Sequence, residues 1–301
     1  MLDVVNLRKD FAAVRAVDEV SFEVRRGEIF GLIGRNGAGK TTTIRCVLNI
    51  LQPDRGRITY DGKPFSDETR NHVGYLPEER GLYRKSKLVD TIVYFAGLRG
   101  MKPAAAREET HRWLSRFELL PYAGRKVEEL SKGNQQKVQF ITSIIHDPDL
   151  VIMDEPFSGL DPVNQITLKE IFRELKQRGK AIIFSTHQMD QAEKLSDAIC
   201  LIDRGRVVLN GSVREVKQQH GSNSVHLEFE GDGEFLRSLP GVKNAITYEH
   251  AAELELADGF STQELLSLLL HRLELRKFEV REPSLESIFI QTVGQRQEVE
   301  A

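Results

Sequence analysis

Short apolar runs recur along the first two thirds of the chain, separated by segments with helical spacing. Glu28-Ile29-Phe30-Gly31-Leu32-Ile33 reads as a buried strand. Leu150 to Met153 and Ala181 to Phe184 are runs of the kind found in parallel strands, which are covered on both faces. Ala16 to Val24 alternates enough to predict a strand, and Arg57 to Tyr60 predicts another. Arg25-Arg26-Gly27 and Asp54-Arg55-Gly56 are turn signals. Thr42 to Leu51, Ser86 to Arg99 and Pro103 to Leu120 have helical spacing, with Pro103 suited to a first turn. Strands alternating with helices predict an α/β core over 1–221, with an inserted helical region at about 84–147.

After Gly221 the pattern changes. Val225 to Phe229, Val242 to Tyr248, Glu253 to Leu256 and Leu273 to Val280 read as strands. Gly233 to Leu239 forms a short helix closed by Pro240-Gly241. Thr262 to His271 is a leucine-rich helix, and Ser284 to Val293 closes the chain behind Pro283. The order β-α-β-β-α-β plus a helix predicts a small α+β, ferredoxin-like domain over 222–301.

Composition narrows the partners. A length of 301 residues suits two domains. Residues 222–301 hold 7 Lys and Arg against 15 Asp and Glu, so this part is a poor nucleic-acid surface. No apolar stretch approaches the roughly 20 residues needed to cross a bilayer. The start, Met1-Leu2-Asp3-Val4-Val5-Asn6, lacks the basic flank and apolar core of a signal peptide. Cys46 and Cys200 are the only cysteines, both in apolar contexts, so neither a disulfide framework nor a metal cluster is expected.

The chemistry concentrates in three places. Gly34-Arg35-Asn36-Gly37-Ala38-Gly39-Lys40-Thr41-Thr42 fits the phosphate-loop pattern G-x-x-x-x-G-K-[ST]. Gly37 and Gly39 free the backbone to wrap a polyphosphate with its N–H groups. Lys40 supplies a mobile positive charge, and the Thr41 hydroxyl suits Mg2+. A glycine-rich turn with a chance Lys-Thr is the bland alternative; the strand before it and the helix after it argue against that. Leu150 to Glu155 is an apolar strand ending in two carboxylates. Asp154 suits the cation, and Glu155 suits the orientation of an attacking water. Alone, this is as well read as a charged turn. Leu130-Ser131-Lys132-Gly133-Asn134-Gln135-Gln136 opens a helix that Ser131 can cap, which by itself is an ordinary N-cap.

Together these segments resemble ATP-binding cassette (ABC) proteins. Leu130 to Gln136 is similar to their LSGGQ signature, Ser158-Gly159-Leu160-Asp161 resembles their D-loop, and His187 resembles the switch histidine. Phe11 resembles the aromatic that stacks on adenine, although a core phenylalanine is nearly as good a reading. The resemblance covers roughly 1–221 with every motif in order. It implies a P-loop cassette with a RecA-like core, an antiparallel β subdomain and a helical subdomain. It also implies two cassettes, as a homodimer or heterodimer, that sandwich ATP and Mg2+ head to tail. Ser131, Gly133 and Asn134 of one copy then face the phosphates held by Lys40 of the other, and Asp161 lies beside them. Glu155, His187 and Lys40 are the implied catalytic residues.

Two departures stand out. Glu78, in Gly74-Tyr75-Leu76-Pro77-Glu78-Glu79-Arg80, takes the place of the family's Gln. As a carboxylate it can ligate Mg2+ alongside Thr41 and Asp154; an ion pair with Arg80 or Arg84 is the alternative. Lys132 replaces the first signature Gly and Asn134 the Gln. Lys132 either adds charge near the nucleotide or faces solvent.

Arg281 to Ile290 is similar to the closing segment of an accessory domain on ATPase subunits of sodium- and drug-extruding bacterial exporters. By physics alone, Leu285, Ile288 and Phe289 are core residues of a helix. The resemblance implies an ATPase docked on a separate transmembrane permease at the inner face of the cell membrane. An importer ATPase remains a competing reading. A non-transport ABC ATPase of DNA repair or translation is a further one. Against it stand the lack of a long coiled-coil insertion, of a second cassette and of a basic stretch.

Overall fold

The computed structural model describes all residues except 13, 80, 220–223, 258, 271 and 301, and the side chains of 67 and 294–300 also lie outside the description. The chain divides into two units, Met1–Asn210 and Gly211–Ala301. The join expected after 221 lies outside the described residues; the observed division falls earlier, before the helix Val213–Gln219.

In the first unit, β1 (Leu2–Phe11), β2 (Val14–Val24), β4 (Arg55–Tyr60) and β5 (Lys63–Pro64) form an antiparallel sheet in the order β2-β1-β4-β5. β1 was not expected. Its apolar positions run Leu2, Val4, Leu7, which breaks the two-residue period of a strand, and the ladder is irregular between Val4 and Leu7. The second sheet contains β3 (Ile29–Ile33), β6 (Val73–Leu76), β7 (Leu150–Met153), β8 (Ala181–Thr186), β9 (Ala198–Asp203) and β10 (Arg206–Ser212), in the order β10-β9-β3-β8-β7-β6. From β9 to β6 the neighbours are parallel. Every residue of β3, β7 and β8 is buried, as their unbroken apolar runs require.

The helices of this unit are α1 (Lys40–Val47), α2 (Asp67–Arg70), α3 (Leu88–Leu98), α4 (Pro103–Arg116), α5 (Lys132–Ile144), α6 (Pro162–Gln177) and α7 (Met189–Leu195). α3, α4 and α5 fill the predicted helical region, and Pro103 occupies the first turn of α4. Beneath the tips of β7 and β8, Phe157, Phe172 and Phe184 pack with ring centroids 5.6, 5.9 and 5.8 Å apart. Each such ring contributes about 1.5–3 kcal/mol by leaving water.

His146 follows α5, and both its ring nitrogens are buried without a hydrogen-bond partner among the described residues. Burial, reinforced by the nearby Arg99 charge, pushes its pKa down to about 4. The neutral ring is therefore the folded form. The unfolded chain takes up a proton below about pH 6.5, whereas the folded chain does not until about pH 4. Stability is fully present above pH 6.5 and falls through this window, with a loss of about 2 kcal/mol reached by pH 5. Urea melts at pH 7.5 and pH 5 should show that loss, and His146→Met should flatten it. An equal slope in the variant would remove His146 as its source.

In the second unit, α8 (Val213–Gln219) precedes β11 (Ser224–Glu230), β12 (Val242–Thr247), β13 (Ala251–Leu256), α9 (Thr262–Leu269), β14 (Glu274–Arg281) and α10 (Leu285–Glu300). The strands pair antiparallel in the order β12-β13-β11-β14. Counted from β11, that order is 2-3-1-4, which is the ferredoxin-like arrangement the pattern predicts. The first crossover is a 3-10 helix, Glu234–Ser238. Ser261 and Glu264 cap α9 reciprocally. Leu285, Ile288 and Phe289 are buried as expected, and Glu253 accepts the Ser284 N–H at 2.7 Å and hydroxyl at 2.8 Å, pinning the start of α10.

Candidate functional site

Parallel strands bring their carboxyl ends to one edge, and crevices at that edge are where α/β sheets bind ligands. Here β3, β8, β7 and β6 lie side by side and lead into Gly34, His187, Asp154 and the loop holding Glu78. Segments far apart in sequence thereby meet. Asn36, Gly37, Gly39, Lys40, Thr41, Thr42, Glu78 and Glu155 line one cleft of about 370 Å³, together with Ala16 of β2.

The loop between β3 and α1 is held by backbone contacts at both ends. Gly34 N–H donates to Thr186 O at 3.2 Å, and Ala38 O accepts from Gly205 N–H at 2.9 Å. Gly39 has φ +108°, and a Cβ there would stand 2.3 Å from Ala16 O, so only glycine fits. No side chain caps α1 and no acidic residue lies in its first turn. Its leading N–H groups and positive dipole end are left for an anion. Lys40 is 6 % exposed; its Nζ donates to Gly34 O at 2.7 Å and Arg35 O at 3.3 Å, and lies 3.5 Å from Glu155 Oε1.

The two carboxylates at the tip of β7 differ sharply. Asp154 is 1 % exposed; its Oδ1 accepts the Ser185 hydroxyl at 2.5 Å, while Oδ2 is buried with no hydrogen-bond partner among the described residues. Such an orphaned anionic oxygen suits a cation, because an unpaired buried charge is costly. Glu155 sits at φ +49° in the left-handed region, and its N–H donates to Ser185 Oγ at 2.9 Å. Its Oε1 is 3.1 Å from His187 Nδ1 as well as near Lys40. Lys40 and Glu155 thus line the cleft themselves, while Asp154 and His187 lie outside its lining, His187 reaching it through Glu155.

Other expected residues lie outside the cleft lining. Ser131 caps α5, accepting the Asn134 N–H at 3.2 Å. A Cβ on Gly133 would meet only Gly159 O at 3.7 Å, so nothing within this chain demands glycine there. The same contact sets the signature turn beside the Ser158–Asp161 segment. Asp161 caps α6, and the Asn164 backbone N–H holds its carboxyl below the ordinary value. Phe11 is 43 % exposed at the end of β1, which corrects the core reading; Lys9 Nζ lies 5.6 Å from its ring centroid. Lys132 is exposed. Among the described residues no ion pair joins Glu78 to Arg84, and Arg80 lies outside them. Burial pushes the Cys46 thiol up to about 11 and the Cys200 thiol up to about 12, as inert core positions should be.

Two residues escaped the sequence reading. Ser185 is fully buried and touches both carboxylate residues. Gln139 of α5 is 4 % exposed, and its Nε2 donates to Pro77 O at 3.2 Å and Glu79 O at 3.0 Å, on either side of Glu78. Gln139 is a polar side chain between Val138 and Phe140, a signal that could have flagged it; Ser185 merely ends the apolar run of β8 and carries no such signal.

A strand, a glycine loop, a helix and, one strand removed in the same parallel sheet, a strand tipped by carboxylates define a P-loop nucleoside triphosphatase. Comparison with known proteins narrows this. Residues 17–158 match the ABC transporter family, and residues 211–293 match the C-terminal domain of DrrA1-3-like ATP-binding proteins. The chain is 43 % identical over 294 residues to the uncharacterized ABC transporter ATP-binding protein YhaQ of Bacillus subtilis (strain 168), covering 98 % of this chain and 99 % of that one. It is 33 % identical over 302 residues to the Nod factor export ATP-binding protein I of Rhizobium sp. (strain N33), covering 99 % and 98 %. A solved ATP-binding subunit of an ABC transporter superposes with a TM-score of 0.68 at 33 % identity, over 73 % of this chain and 93 % of that one. The chain belongs to the ATP-binding proteins of the ABC transporter family. It is an ABC ATPase, carrying a DrrA-like domain after its cassette.

Proposed function

We propose that this protein powers an ABC-type exporter, hydrolysing ATP to ADP and phosphate while docked on a separate transmembrane permease. Export is supported by the likeness to a Nod factor export protein along 99 % of the chain, C-terminal domain included. Among the described residues no helix is long and apolar enough to cross a membrane, which accords with a pathway supplied by a separate permease. The protein then works at the inner, cytoplasmic face of the membrane.

The observation that carries the chemistry is the convergence of Lys40, Glu155 and His187 at one sheet edge. The N–H groups of Gly37, Gly39, Lys40, Thr41 and Thr42, which line the cleft, cradle the phosphates, and Lys40 exchanges its carbonyl partners for phosphate oxygens. Thr41, Glu78 and the unpartnered Oδ2 of Asp154 would hold Mg2+, which when bound would supply positive charge against the triphosphate. Glu155 orients and polarises the attacking water, and His187 steadies both water and γ-phosphate. Phe11 offers its exposed ring to adenine. Ser131, Gly133 and Asn134 of a second copy, with Asp161 nearby, close over the γ-phosphate. A pair of sites related this way makes a closed, self-complementary dimer.

The test is reconstitution with its permease, in inside-out vesicles. ATP added outside should drive cargo into the vesicles and stall when Glu155→Gln replaces the native chain. ATP-driven movement the other way, dependent on an external binding protein, would make it an importer.

A further inference from the structure

Asp154 and Glu155 project from the tip of β7, but what fixes them belongs to β8. Ser185 is completely buried, with 0 % exposure. A hydroxyl has one proton to give and lone pairs to receive. Asp154 Oδ1 is a pure acceptor, so the proton goes there, across 2.5 Å. The Glu155 N–H is a pure donor, so it takes a lone pair, across 2.9 Å. The two bonds leave the hydroxyl no alternative orientation.

Each bond has a consequence in the cleft. With Oδ1 engaged, Asp154 presents Oδ2 alone, and that oxygen is the buried one without a partner. The second bond grips the backbone where Glu155 adopts φ +49°, a conformation that costs a non-glycine residue about 1 kcal/mol or more. That backbone setting sends Oε1 toward His187 and Lys40, at 3.1 and 3.5 Å.

We propose that Ser185 is a positioning residue for ATP hydrolysis: one hydroxyl sets Asp154 for the divalent cation and Glu155 for the attacking water. The inference rests on the roles given to those two carboxylates above. It assigns Ser185 no contact with nucleotide. Loss of the hydroxyl should therefore act on cation affinity and on turnover, not on nucleotide affinity without metal.

The experiment compares Ser185→Ala and Ser185→Thr in the full-length chain, using a fluorescent ATP analogue. In EDTA the analogue should bind all three proteins within about twofold. Titrated with Mg2+, the alanine variant should need roughly tenfold more cation for its binding change, the size expected when a hydrogen bond to a charged group is lost. Its kcat for ATP should drop about 30-fold or more with KM moved less than threefold, and threonine, which keeps the hydroxyl, should recover most of both. Should the alanine variant not fold, Ser185→Cys, a much weaker donor, takes its place in the same titration. A wild-type Mg2+ midpoint and kcat in the alanine or cysteine variant would overturn the proposal. So would a threonine variant as impaired as alanine, since packing and not the hydroxyl would then matter. Normal turnover in Glu155→Gln would sink the underlying reading of the site; an inactive Glu155→Gln beside an unaffected Ser185→Ala sinks this inference alone.

Discussion

Glu155→Gln should bind ATP and fail to hydrolyse it, with turnover reduced by roughly 10²- to 10⁴-fold. That is the range a positioned general base supplies. The amide keeps the shape of the side chain and its place beside His187, but it cannot accept a proton from water. Nucleotide should stay in the cleft, and an ATP-bound dimer should accumulate, visible by gel filtration or light scattering with ATP and Mg2+. Adding Gly133→Ala should dissolve that dimer. The new methyl has room within its own chain, where Gly159 O is the nearest atom at 3.7 Å. Any clash must come from what the other copy brings. A strictly monomeric Glu155→Gln protein in ATP and Mg2+ would count against the sandwich, and a dimer indifferent to Gly133→Ala would take the signature turn out of the interface.

Lys40→Ala should lose ATP turnover by at least about 100-fold and weaken ATP binding as well. A buried cation facing the phosphates is worth far more than a surface charge, since little water screens it. The two readouts separate this variant from Glu155→Gln, which keeps its nucleotide. Lys40 also donates to Gly34 O and Arg35 O, so the nucleotide-free variant should melt lower, by about 1 kcal/mol of stability. Normal turnover in the purified, folded variant would overturn the assignment of the loop.

The site was largely legible because its parts are local. The phosphate loop is a contiguous run, and β7 ends directly in its carboxylates, so spacing alone carries the reading. β7 itself, Leu150–Met153, matched its expected bounds because a strand covered on both faces leaves an unbroken apolar run. β1 was missed because its bulge shifts the apolar period between Val4 and Leu7. Two readings of Phe11 stay open in the sequence because it cannot tell a ring in the core from a ring exposed at a strand end. Ser185 and Gln139 were missed for a different reason. Their partners are distant in the chain: Asp154 lies 31 residues from Ser185, and Pro77 lies 62 from Gln139. No local pattern reports such a contact; only the register of neighbouring strands and the seating of α5 create it.

Gln139 ties two elements that are distant in sequence to one another. By gripping the carbonyls on both sides of Glu78, it lashes the helix that starts at Ser131 to the loop leaving β6. Separating them breaks two hydrogen bonds and strands two carbonyls, at about 1–3 kcal/mol. The stretch around Glu78 and the helix that Ser131 caps are therefore costly to part, and a displacement of one would strain the other.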